Sequence, residues 1–98
     1  NDNRGYYFTY DNKNNHILGH AIKKFIGRDM TNFKDLKGQN LVQLYAKVLK
    51  QNKIAFTKIY FTKPNDTTKE YPKIVVISQF KPLNITIGTG EYLDVVEN

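Results

Sequence analysis

The chain contains no cysteine and no tryptophan, one methionine, three prolines and a single serine, Ser78. Without cysteine there is no disulfide framework, no thiolate zinc site and no thioether haem attachment, and such a chain is tolerated in the bacterial periplasm as well as in the cytosol. No apolar run approaches the ~18 residues that a membrane-spanning helix requires, and no signal-peptide pattern is visible. The sequence opens on Asn-Asp-Asn-Arg rather than on an initiator Met, and it reads as a piece of a longer protein. Ser78 lies inside the β-branched run Lys73-Ile-Val-Val-Ile-Ser-Gln-Phe80, with no nucleophile elbow around it. Paired carboxylates and a phosphate-binding loop are also missing, and Gly88-Thr-Gly90 lacks the third glycine and following helix of a dinucleotide site. Catalysis is therefore not expected, and neither is a cofactor or a metal.

What is present suits one modest α+β domain covering residues 1–98. A chain of this length can bury roughly 60–65% of its unfolded surface, and an apolar share of 40% with seven tyrosines and six phenylalanines supplies a core. The net charge of +6 comes from fifteen Lys and Arg spread along the chain. Such a distribution suits a small anionic ligand or a solvated surface as well as a polyanion.

The runs Lys73-Ile-Val-Val-Ile-Ser-Gln-Phe80 and Leu83-Asn-Ile-Thr-Ile-Gly-Thr-Gly90 read as two adjacent antiparallel strands at the centre of a sheet. In the second run Gly88 and Gly90 share a face, so a packed helix or a bound molecule is expected against the backbone there. Earlier, Gly5-Tyr-Tyr-Phe-Thr-Tyr10 and His16-Ile-Leu-Gly-His20 form a hairpin across an Asn-rich turn. Residues 21–37 show no clean period and read as a loop with one or two helical turns, one starting near Thr31. Asn40 caps a helix whose Leu41, Leu44, Tyr45, Val48 and Leu49 recur at helical spacing, and Asn52 stops it. Ile54-Ala-Phe-Thr-Lys-Ile-Tyr-Phe61 is a further strand, and 62–70 reads as a polar loop. Five antiparallel strands with helices inserted between the second and third give a PAS-like sheet, its last three strands a meander and its first hairpin on the meander's far edge. Helices over one face leave a cavity beneath them.

Two constellations are set aside. Arg4-Gly-Tyr-Tyr-Phe matches the RNA-recognition signature at Arg4, Gly5, Tyr6 and Phe8 but fails at Tyr7, Thr9 and Asp11, and it lies on the first strand rather than the third. A basic protein- or nucleic-acid-interaction module is the alternative this leaves, and nucleic acid is not the expected partner. His16 and His20 would share a strand face ~13 Å apart, too far to chelate one ion. His16 then reads as a surface residue and His20 as a partly buried hydrogen-bonding one. The residues falling near the expected cavity are Tyr10, His20, Arg28, Tyr60 and Lys73. One cation with hydroxyl and imidazole donors in an apolar niche is the chemistry that holds a small carboxylate.

Taken in order, Gly5-Tyr-Tyr-Phe-Thr-Tyr-Asp11, His20, Ile26-Gly-Arg-Asp-Met30, Lys34-Asp-Leu-Lys-Gly38, Ile59-Tyr-Phe-Thr-Lys-Pro64, Pro72-Lys-Ile74 and Ile87-Gly-Thr-Gly-Glu-Tyr92 resemble the single Cache domain. That is the extracytoplasmic sensor module of bacterial chemoreceptors and sensor histidine kinases. The resemblance implies a PAS-like sheet, a pocket for a small organic acid or similar metabolite, and a periplasmic position in a membrane-anchored parent that can form a homodimer. It places Tyr10, His20, Arg28, Tyr60 and Lys73 in or beside the pocket. The chain departs from the family pattern in three places. Ala21 follows the histidine where proline is usual, Leu83 and Ile85 stand where tryptophans are frequent, and the long amino-terminal helix behind the sheet is missing.

Overall fold

In the computed structural model, residues 6–63 and 65–93 are described, Tyr6 by its backbone alone. Arg4 and Gly5 of the signature above, Pro64, and the segment beyond residue 93 fall outside them. The elements are β1 (Tyr6–Asp11), β2 (Ile17–His20), a 3-10 turn (Lys23–Phe25), α1 (Leu41–Leu49), β3 (Ile54–Lys63), β4 (Asp66–Phe80), a second 3-10 turn (Lys81–Leu83) and β5 (Ile85–Tyr92). All five strands form one antiparallel sheet in the order β2-β1-β5-β4-β3. The meander and the added first hairpin are as the sequence implies, with β5 in the middle. No helix among the described residues is long and apolar enough to cross a membrane.

One sheet face carries the core. Alternation puts Ala55, Thr57, Ile59 and Phe61 of β3, Lys73, Val75 and Ile77 of β4, and Thr86, Gly88, Gly90 and Tyr92 of β5 on that side. A bulge between Thr9 and Tyr10 lets β2 present both Ile17 and His20 to it. α1 lies over this face. The Asn40 side chain accepts from the Gln43 N–H at 3.0 Å and caps the helix, Leu41 and Tyr45 are buried, and Asn52 donates to the Val48 carbonyl at its far end. The opposite sheet face has no cover among the described residues, and it exposes Tyr7, Ile54 and Phe56, the last at 73%.

Three expectations change. Residues 62–70 are mostly strand: Lys63 pairs with Asp66, and the Asp66 carboxylate accepts from the Thr68 N–H and hydroxyl at 3.1 and 2.6 Å. The reversal is thereby completed locally and both strands run on through β-branched threonines. The last strand starts at Ile85 instead of Leu83, because Lys81–Leu83 coils and Asn84 takes the left-handed backbone (φ 53) that ends the turn. Finally, 21–37 holds one 3-10 turn at Lys23–Phe25. At Thr31 the backbone instead turns around Asp29, whose carboxylate accepts both the Thr31 N–H and hydroxyl.

The close approach at Gly88 and Gly90 comes from neither a helix nor a ligand. A Cβ on Gly88 would overlap the edge of the Phe8 ring, nearest Cζ and 2.5 Å from Cε2, and one on Gly90 would lie 2.5 Å from the Lys73 Cε. Side chains from the two flanking strands therefore lie flat across β5. Phe8 cannot retreat easily, being stacked on Tyr10 and Tyr45 at 6.3 and 5.8 Å between centroids. Gly88→Ala is expected to overpack this stack by about 2 kcal/mol, which for a domain of this size lowers Tm by about 8–16 °C in a calorimetric melt. Partial recovery in the Gly88→Ala, Phe8→Leu double variant would confirm the cause.

Candidate functional site

Between α1, the 21–40 loop and the sheet lies a cavity of about 40 Å³. Its walls are aromatic and aliphatic, with Phe8, Ile17, Met30, Leu41, Val42, Ile59 and Phe61 supplying most of them. Among the described residues, four polar side chains reach it: Tyr10, Tyr45, His20 and Lys73.

Lys73 faces the cavity because β4 pairs it with Tyr92 of β5 on one side and Ile59 of β3 on the other, both core-facing positions. It is 3% exposed, with its Nζ 5.1 Å from the Tyr92 ring centroid and 5.5 Å from that of Phe61. These rings partly replace lost water around the cation. Burial pushes the ammonium down to about 8, so it is still charged at neutral pH. The Tyr92 hydroxyl donates to the Thr62 carbonyl, which ties the end of β5 to the end of β3.

His20 closes β2. Its Nδ1 accepts the Ile22 N–H at 2.9 Å, which leaves the hydrogen of the neutral ring on Nε2. Burial, aided by the positive charge of Lys73, pushes its pKa down to about 4, so the ring is neutral at physiological pH. It packs edge-on against Phe25 at 5.2 Å and tilted against Phe61 at 5.6 Å. Burial raises the pKa of both Tyr10 and Tyr45, and the Tyr10 hydroxyl is hydrogen-bonded to Thr86. The cavity thus offers one ammonium, one neutral imidazole and phenolic hydroxyls in an apolar surround. That set can bind a small anion.

Of the five residues expected near the pocket, Tyr10, His20 and Lys73 line this cavity together, and two do not. Tyr60 lies on the other face of the sheet: Lys73 is opposite Ile59, not Tyr60, and one residue of offset reverses the side. Its ring lies instead beneath the Lys37 ammonium, 5.6 Å from the centroid. Arg28 points outward, its guanidinium 4.9 Å over the Phe25 ring in a separate open hollow. The cause is backbone pairing, since the Arg28 carbonyl accepts the Ile17 N–H and runs this segment along the outside of β2. His16 is at the surface, 3.8 Å from the Asp29 carboxylate. The sequence reading missed Phe61 and Tyr45. Strict alternation along β3 identifies the first, and the helical stripe contains the second.

The loop over the cavity is anchored by Asp35, which is 5% exposed. Its carboxylate accepts the backbone N–H groups of Lys37, Gln39 and Tyr60 at 3.0, 2.9 and 3.0 Å, and the Gln39 amide at 2.9 Å. Gln39 in turn donates to the Lys58 carbonyl at 3.2 Å. Two loop side chains therefore occupy the outer edge of β3.

Over residues 1–98 the chain matches the family described as Cache domain (dCache_2). Three solved structures share its fold. One is a periplasmic sensor domain of a chemotaxis protein, 24% identical with a TM-score of 0.80, covering 92% of this chain and 62% of that one. Another is a Cache chemosensory domain described for its carboxylic acid recognition, 21% identical with a TM-score of 0.81, covering 92% and 60%. A methyl-accepting chemotaxis protein from Vibrio parahaemolyticus RIMD 2210633 is 24% identical with a TM-score of 0.80, covering 98% and 64%. The chain therefore spans less than two thirds of the length of each of these structures. With its PAS-like five-stranded sheet and a match along its whole length, the chain belongs to the Cache domain family.

Proposed function

We propose that this domain senses a small carboxylate in the inner cavity, as the extracytoplasmic, non-catalytic input module of a membrane-anchored chemoreceptor or sensor kinase. The observation that carries the reading is the buried Lys73 ammonium beside the neutral His20, in a cavity otherwise aromatic and aliphatic. A carboxylate there gains a charge-assisted bond from Lys73 and a bond from His20 Nε2–H, while its short carbon tail meets Met30, Leu41 and Ile59. A volume of about 40 Å³ suits an acid of a few atoms. The carboxylic acid recognition described for a structural neighbour agrees with this chemistry. In this reading occupancy shifts Lys73 against β5, whose Gly90 it crosses, and the change leaves the domain through 93–97 toward a transmembrane segment. Such a signal is as large as the ligand's differential affinity for the two states, about 1–3 kcal/mol.

The pH dependence tests the anchor. Burial holds the Lys73 pKa at about 8, below its ordinary value, and a bound carboxylate stabilises the ammonium and raises it. Below pH 8 the site is already charged and affinity is flat. Above pH 8 each binding event takes up a proton, so acetate affinity is expected to fall by about tenfold per pH unit until the bound-state pKa is reached. Calorimetric titration of acetate at pH 7, 8, 9 and 10 in buffers of different ionisation heat reads both the affinity and the proton uptake. A dissociation constant that is the same at pH 7 and pH 10 removes Lys73 as the anchor.

A further inference from the structure

Outside the inner cavity is an open hollow of about 420 Å³ that shares one wall with it. The shared wall is Phe61, which faces both spaces, backed by Phe25 at 5.5 Å between centroids in a T-shaped contact. Two cations flank the outer side of Phe25: the Arg28 guanidinium at 4.9 Å from the ring centroid and the Lys24 ammonium at 5.7 Å. Among the described residues neither makes an ion pair, and Lys24 reaches only the Thr67 hydroxyl, at 3.4 Å. Among the described residues the acid lining the hollow is Glu70, which turns its carboxylate to the Leu36 N–H at 2.6 Å, and burial raises its pKa. Two like charges over one ring, with the nearby acid engaged elsewhere, make a place where an incoming anion relieves repulsion.

We propose that this hollow is a second carboxylate site, a capture station where Lys24 and Arg28 hold the anion before the Phe25–Phe61 wall admits it to the inner cavity. The proposal rests on the carboxylate reading of that cavity. Arg28 supplies a planar fork suited to a carboxylate, and Lys24 a point charge. The geometry places this pair one aromatic ring from His20, which contacts both Phe25 and Phe61. The step beyond capture is then a turning of two side chains instead of an opening of the fold.

The test is an acetate titration followed by nuclear magnetic resonance on the labelled chain, reading Arg28 Nε–H, the Phe25 ring and the Lys73 and His20 side chains. In the unsubstituted chain two saturations are expected, the outer one about tenfold weaker because its charges are exposed. Lys73→Met removes the inner saturation and leaves the Arg28 and Phe25 shifts in place. The surface double variant Lys24→Gln, Arg28→Gln loses the outer shifts and slows acetate exchange at the inner cavity by about tenfold in both directions, while the inner dissociation constant changes much less. Inner binding with no outer shifts in Lys73→Met, or exchange at the original rate in the double variant, overturns the capture site alone. A fall in association rate without a matching fall in dissociation also overturns it, since that marks long-range steering. Acetate that moves no signal in the unsubstituted chain overturns both this proposal and the reading of the cavity.

Discussion

Lys73→Met is expected to weaken acetate binding by at least about 100-fold, an effect of the size seen when a charge-assisted anchor in a dry site is removed, without lowering the melting temperature. The two outcomes follow from one fact. Lys73 is 3% exposed and its pKa is pushed down to about 8, so the folded chain holds the proton on this amine more weakly than the unfolded chain does and carries the cost of a buried charge at pH 7. The sign is that of a depressed lysine: the penalty is fully present below pH 8 and is relieved between the folded value and the ordinary one. Methionine keeps the length of the chain lying across Gly90 and removes the charge, so packing survives while the anchor is lost. Calorimetric titration with acetate and a melting curve on the same sample measure both. A variant that still binds acetate within about threefold of the original would transfer the anchoring role to His20 or elsewhere.

The second large effect is on the fold. Asp35→Ala removes the acceptor of three backbone N–H groups, two within its own loop and one on β3. Those donors sit in a part-buried place where water replaces the carboxylate poorly. A loss of about 3–4 kcal/mol is expected, which for a domain near 100 residues lowers Tm by about 12–32 °C. Asp35→Asn, which retains one carbonyl acceptor, should recover part of this. Chemical denaturation reads the difference, and amide hydrogen exchange should show that protection is lost first at Tyr60 and in 35–39. If both variants unfold at the original denaturant concentration, the loop is held by its hydrophobic contacts instead.

The fold was readable from the sequence where one side of an element is buried and the pattern is long enough to show it. The β-branched run before Phe80, the alternation of 85–90 and the helical stripe after Asn40 all state their faces. The misread parts are those settled by side-chain detail. Asn-Asp between two strands looked like a wide loop, yet the Asp66 carboxylate closes the reversal on Thr68 and accepts from the Tyr71 hydroxyl at 2.5 Å, so the strands continue. Tyr10, His20 and Lys73 fall on one cavity because strand faces are periodic. Tyr60 was misplaced because a hairpin register uncertain by one residue exchanges the two faces of a sheet. Arg28 was misplaced because residues 26–30 follow no repeating pattern from which a direction can be read. Asp35 stood within the Lys34-Asp-Leu-Lys-Gly38 stretch of the family resemblance, but its role was not legible: an acid in a polar stretch looks solvated, and its partner is a strand edge distant in sequence.

That same carboxylate has a consequence for how the protein survives in a crowded solution. The outer margin of β3 is a row of hydrogen-bonding groups that would otherwise recruit a strand from another molecule, and Asp35 and Gln39 sit on it at Tyr60 and Lys58. The start of the strand, bearing the exposed Ile54 and Phe56, has neither of these two side chains on it. The segment that roofs the cavity therefore also covers part of an exposed sheet edge, the kind of edge at which strands of other molecules add when it is bare.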